Sequence, residues 1–217
     1  MIRKEKRNRN QKSRLLIIGS LLLLFGIVVI GGKYIYNYLS YKEEIKVIDE
    51  FLETEVEEIT IENVIEETPK EPTTKEEQEP IYNYIAVLEI PTINLKKGLL
   101  SINDKYNNVD KNIEILQNSD MPNVKNGLLA LAGHSGNSKI AFFNKLHKVK
   151  KDDLVYIYYN NIKYTYKITS ITRQTKQGFV TISRKKDTTE LLLTTCDQND
   201  KNKQVVVMAS LIDESNY

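Results

Sequence analysis

Residues Leu15 to Gly32 read LLIIGSLLLLFGIVVIGG, eighteen positions without a charge. As a helix rising ~1.5 Å per residue this run spans ~27 Å, close to a hydrocarbon core of ~30 Å, so it has the length of a membrane-crossing segment. A buried core helix is the alternative, but charges flank the run on both sides and no other segment is as apolar. A cleaved signal peptide would have a shorter apolar region and a small-x-small cleavage site. Here the run ends in Gly31-Gly32-Lys33, and Tyr34, Tyr36, Tyr38 and Tyr41 follow as an aromatic belt at a membrane surface would. An uncleaved anchor over 15–32 is therefore expected, which leaves the rest of the 217 residues room for one ordinary domain and accessories.

The formal net charge of +2 conceals three unlike segments. Residues 1–14 carry seven basic side chains against Glu5, a net +6, and Lys and Arg are held on the cytoplasmic side of a membrane. The expected topology is single-pass in the cell membrane, with a cytoplasmic basic segment 1–14 and an extracytoplasmic remainder. Residues 43–79 carry fifteen acids against three lysines, net −12. Within the stem 33–80, Ile45, Ile48, Leu52, Val56 and Ile59 recur at helical spacing, while 65–80 holds three of the five prolines among glutamates. That latter stretch has too little apolar surface to offset its ordering entropy and is expected to be an extended linker. Low Gly and Pro exclude a collagen-like or low-complexity chain, and a single cysteine excludes a disulfide scaffold.

From residue 81 the texture changes to strands. Segments 82–90, 127–133, 154–159, 162–172, 189–195 and 203–212 are rich in Val, Ile, Thr and Tyr, and Asn160-Asn161 joins two of them as a tight hairpin turn. One short helix is expected at Ser138–Val149, where Ile140, Phe143, Leu146 and His147 share a face. The pattern predicts an all-β domain over 81–217, a closed or nearly closed barrel of about eight strands with one or two short helices.

Cys196 is the only thiol. It ends the apolar run LLLTT just before Asp-Gln-Asn-Asp, where a strand leaves the core. A small buried apolar residue is the plain alternative. His134 occupies the matching place after LLALAG, bracketed by Gly133 and Gly136; His147 reads as structural or surface. One Cys and one His at strand exits, far apart in sequence, suit a thiol nucleophile with a general acid/base. An ordinary thiol titrates near ~8.5, so its thiolate is scarce at neutrality, and a leaving amine needs a proton. Two histidines and one cysteine offer no ligand pair at zinc-like spacing, so no metal and no cofactor is expected. Dispersed lysines and the lack of a Gly-rich phosphate loop argue against nucleic acid as a partner.

At these residues the chain resembles the sortases, the membrane-anchored cysteine transpeptidases of Gram-positive bacteria. IAVLEIPTINL (85–95) resembles their opening strand, LALAGHSGN (129–137) the strand and loop carrying their histidine, and LLLTTC (191–196) the end of their nucleophile strand. The resemblance covers Tyr84 to Ile212. It implies cleavage of a Leu-Pro-x-Thr-Gly-like sorting signal between Thr and Gly, a thioester on Cys196, and transfer to an amine of a peptidoglycan precursor or a pilin. The partners are then sorting-signal-bearing surface proteins and the membrane. His134 would be the acid/base, with Thr194 and Thr195 lining the substrate groove. The segment 173–188 is too short for the helical insertion of class B enzymes. No second apolar run follows Ile212, so a single-anchor enzyme is expected.

One departure concerns the family's arginine on the strand after the cysteine: alignment of VVVMASLI puts Gln204 there, and no Arg follows Arg184. Either Gln204 takes the role with a neutral donor, or Lys203 or Lys201 reaches in, or the oxyanion site is built otherwise. Strand alternation turns Lys203 to the face opposite Gln204, which favours Gln204. The competing readings are an extracytoplasmic cysteine peptidase or L,D-transpeptidase, whose Ser-x-Gly-Cys is missing before Cys196, and a non-catalytic surface-binding barrel with Cys196 buried.

Overall fold

A computed structural model describes residues 2–54, 83–185 and 187–217. The acidic linker expected at 65–80 lies outside the described residues. The chain divides into two units, the first ending at Val47 and the second beginning at Ile48.

Helix α1 spans Ile2–Thr54. Its stretch from Ile18 is long and apolar enough to cross a membrane, and the apolar window is not buried against protein. Leu21, Leu24, Phe25, Val28 and Ile30 are all exposed, as are Tyr34, Tyr36, Tyr38 and Tyr41.

The second unit holds eight strands: β1 Tyr84–Ile90, β2 Leu95–Leu100, β3 Glu114–Ile115, β4 Leu128–Ala132, β5 Leu154–Tyr159, β6 Ile162–Thr175, β7 Glu190–Cys196 and β8 Lys203–Asn216. They form one sheet in the order β2-β1-β5-β6-β8-β7-β4-β3, whose two ends approach each other to give a nearly closed barrel. Asn112 Nδ2 donates to Gly98 O of β2 at 3.0 Å, and Asn107 bonds both the N–H and the carbonyl of Ile115 in β3. Side-chain amides thus satisfy the backbone of a two-residue strand, where open edges would leave it unpaired.

Alternating side chains from Ala86, Leu88 and Ile90, Val155 and Ile157, Tyr164, Tyr166 and Ile168, Leu191 and Leu193, and Val205 and Val207 fill the interior. The β5–β6 hairpin is the one read from the sequence: Tyr159 pairs with Ile162, and Asn160 and Asn161 have φ of 51° and 59°. Positive φ at both positions gives the turn whose twist matches that of the flanking strands.

One expectation changes. Ser138–Val149 is not a helix but a series of turns ending in a single 3-10 turn at Leu146–Lys148. Ala141, Phe143, Leu146 and Val149 are drawn into the barrel, and Phe143 N–H donates to His134 O at 2.9 Å, a partner nine residues back that a regular helix does not offer. Core burial here overrides helical periodicity, since a segment this short has little stability of its own. The end of α1 packs within the second unit. Ile48, with Phe51 and Leu52, packs against Tyr84, Val87 and Leu100, and Lys96 pairs with Asp49 at 2.6 Å.

Candidate active site

β7 is buried along both faces, which explains why LLLTT reads as an unbroken apolar run. Leu191 and Leu193 face the barrel interior. Leu192 belongs to a second cluster with Val206 and Met208 on the outer face, joined by Leu128, Ala130, Val180 and Ile182.

β4 lies parallel to β7, with Leu128 beside Glu190 and so on to Ala132 beside Thr194. Beyond the ladder Gly133 N–H donates to Thr194 O at 3.2 Å, and Ser135 Oγ donates to Cys196 O at 2.6 Å. Carrying the register two residues further sets His134 alongside Cys196. Neighbouring strands lie about 4.8 Å apart, so the two chains leave the barrel side by side at one rim. Parity puts Cys196 on the face of Leu192 and Thr194, the outer face. Both side chains are half-buried, and His134 Nε2 lies 3.0 Å from the exposed carboxylate of Asp110.

The glycines flanking His134 do different work. Gly136 has φ +113°, a conformation that suits glycine. Gly133 is needed for a close approach: a Cβ there would stand 2.9 Å from the Phe143 ring.

Thr194 and Thr195, both expected to line the groove, part company because successive strand residues face opposite ways. Thr194 lines the outer groove. Thr195 does not; it is buried, and its Oγ1 donates to Gly133 O at 2.7 Å.

The groove runs along the outer face of β4 and β7 and has a volume of about 410 Å³. Its floor is Leu128, Ala130, Leu192 and Thr194, and one wall is Phe179, Val180 and Ile182 from the connection between β6 and β7. Arg184 anchors that connection, donating to Asn126 O at 2.7 Å and facing the buried Glu190 carboxylate at 3.4 Å.

Gln204 pairs directly with Cys196 across β7 and β8, on the same face and within the groove lining. Its Nε2 donates to Phe179 O at 2.8 Å, so the amide holds the groove wall. Lys203 is paired with Asp200 at 3.2 Å, and Lys201 lies in the exposed turn before β8. Arg173 is committed to the buried carboxylate of Asp197 at 2.8 Å. The Asn199 N–H and the Arg173 guanidinium hold the Asp197 carboxyl below its ordinary range, against the opposing effect of burial.

Among the described residues, a cation stands at the sulfur. Lys176, just beyond β6, places Nζ 3.4 Å from Cys196 Sγ. Lys176 and Asp110 were not legible as site residues, because each is far in sequence from Cys196 and His134 and lies in no motif. Only the pairing of β6 with β8 and of β8 with β7 carries Lys176 to the thiol.

A family model described as Sortase domain matches residues 88–212. Over 201 residues the chain is 25% identical to Sortase A of Bacillus anthracis, covering 90% of this chain and 93% of that protein. Sortase A from Corynebacterium diphtheriae, a lid mutant, superposes with a TM-score of 0.55 at 22% identity, covering 63% of this chain and 74% of that one. A Clostridium perfringens sortase C, whose X-ray structure includes the C-terminal cell wall sorting motif, gives a TM-score of 0.53 at 20% identity over 60% of this chain and 71% of its own. These solved structures share the barrel described above.

Proposed function

Because the chain belongs to the sortase family of cysteine transpeptidases, we propose that it is a membrane-anchored enzyme that cuts a Leu-Pro-x-Thr-Gly-like sorting signal and transfers the acyl part to an amine of a peptidoglycan precursor or a pilin. The observation that carries this reading is the parallel register of β4 and β7, which brings His134 and Cys196 to one rim at the end of an apolar groove.

With its proton passed to His134, Cys196 Sγ attacks the threonine carbonyl carbon of the signal as the thiolate. The bond from that carbon to the glycine nitrogen breaks, and His134 gives the departing amine its proton. The acyl group then rests on sulfur as a thioester. An incoming amine attacks the same carbon and passes a proton to His134, and the thiolate of Cys196 leaves. Thiolate and protonated His134 are thus regenerated, the forms in which the cycle began, as a transferase requires.

Leu128, Ala130, Leu192 and Val180 form an apolar seat suited to the leucine and proline of such a signal. The apolar stretch of α1 supports membrane anchoring, and the seven basic residues before Leu15 support a cytoplasmic N-terminus with the barrel outside.

The test uses the full chain in detergent with a pool of Leu-Pro-x-Thr-Gly-like peptides. Intact mass spectrometry is expected to find the wild-type protein heavier by one acyl fragment on Cys196 and Cys196→Ala unchanged. Identical blank spectra for both would sink the transpeptidase reading.

A further inference from the structure

The tetrahedral intermediate of acyl transfer carries a negative oxygen one bond beyond the carbon attached to sulfur. A donor aimed at that oxygen stands about 2.7–3.1 Å from it, and a charged donor is roughly twice as effective as a neutral one. Each positive group near the Cys196 rim therefore bears on who supplies the charge. Arg173 is held by Asp197 and Lys203 by Asp200. Gln204 is neutral, and its amide nitrogen already donates to Phe179 O. Lys176 differs from all three, because its Nζ lies 3.4 Å from Cys196 Sγ itself.

We propose that Lys176 is the cationic catalytic residue of this site, its ammonium donating to the oxyanion that forms when Cys196 attacks the substrate carbonyl. The inference rests on the acyl-transfer reading above. A donor in contact with the sulfur needs only a small stem rotation to meet an oxygen two bonds away, and a lysine has three donors on a flexible four-carbon stem.

The position of Lys176 in the chain adds to the case. It opens the β6–β7 connection, three residues before Phe179 and four before Val180, which form the groove wall. Lys176 N–H is pinned to Asn202 O at 2.7 Å, so the backbone from which the side chain reaches the sulfur is fixed. The segment between carries Gly178 at φ +82°. Substrate that seats against the wall therefore presses on the same segment that bears the charge. Recognition of the apolar part of the signal and stabilisation of its reacting carbonyl are joined through a few residues of backbone.

The experiment compares steady-state transfer by the full-length wild type, Lys176→Met, Lys176→Arg and Cys196→Ala, with alkylation of Cys196 as a check that the thiol stays in place. For Lys176→Met the expected result is a fall in kcat/KM of about 10²-fold, carried mainly by kcat, as for loss of an oxyanion donor. Lys176→Arg is expected to retain most of the rate, and Cys196 should be alkylated to completion in both lysine variants. If Lys176→Met transfers within twofold of wild type while Cys196→Ala is inactive, the role of Lys176 is overturned and the transpeptidase reading stands. Equal losses in Lys176→Met and Lys176→Arg would also overturn it, since charge would not be the property in use. Activity retained by Cys196→Ala would overturn both.

Discussion

Thr195 Oγ1 donates to the carbonyl of Gly133 at 2.7 Å, from one buried strand end to the next. It is a side-chain rivet between β7 and β4 immediately before the positions of Cys196 and His134. Replacing Thr195 by Val keeps the shape and removes the donor, leaving a buried carbonyl short of a partner at about 1–3 kcal/mol. The expected outcome is a drop of that size in denaturant-measured stability together with a lower kcat. Unchanged stability and kcat would show that the backbone ladder alone holds the rim.

Gly133 tests the packing behind the histidine. A methyl group there meets the Phe143 ring at 2.9 Å, and overpacking of this kind costs about 1–3 kcal/mol. Gly133→Ala should lower the melting temperature, and a second change, Phe143→Leu, should restore part of the loss by vacating the ring's space. Additive destabilisation in the double variant would place the strain elsewhere.

Asp110 is expected to matter little. Its carboxylate is 80% exposed and the His134 ring 37% exposed, so their 3.0 Å contact is solvent-screened, and such pairs are worth about 0–1 kcal/mol. Asp110→Asn should therefore reduce transfer by less than about fivefold, with a difference from wild type that shrinks as salt rises. A hundredfold loss would make Asp110 a true orienter of the imidazole.

Gln204 faces Cys196 across the ladder yet holds the wall through Phe179 O. For Gln204→Ala we expect KM to rise a few-fold with kcat nearly unchanged, the signature of lost ground-state positioning at about 1 kcal/mol. A collapse in kcat would return Gln204 to the oxyanion.

The pH dependence of stability has an assignable acid limb. The Asn199 N–H and Arg173 hold the Asp197 carboxyl below its ordinary value of 3.8, and the Asn202 N–H and Lys203 do the same for Asp200. A carboxyl depressed in the folded state contributes stability that is whole above its unfolded value and is lost as pH falls through the folded one. Thermal melts below about pH 4 should thus show a steep decline, which Asp197→Asn makes shallower. Since Asp200 remains, the limb should flatten only in part.

Several features were already legible along the chain because their physics is local. The membrane-length run of α1 needs only length and the lack of charge. Asn160-Asn161 marks its hairpin because few residues accept positive φ twice in succession. The strands, and Cys196 and His134 at their exits, follow from β-rich runs ending in polar, glycine-flanked text. The apolar spacing at 138–149 that suits a helix serves equally a segment folded piecewise into a core. Thr195 and Thr194 are neighbours in the sequence, yet strand alternation separates them onto opposite faces.

Sequence by itself determined the membrane-length apolar run, the strand texture, the thiol and imidazole as candidates, and the missing arginine. Apart from the β5–β6 hairpin, tertiary structure alone decided which strands are neighbours. That choice sets β4 parallel to β7, brings His134 level with Cys196, turns Thr195 inward, and delivers Lys176 to the sulfur across β8. The reason is physical: strand propensity acts within a few residues, whereas pairing between distant strands is set by burial over the whole barrel.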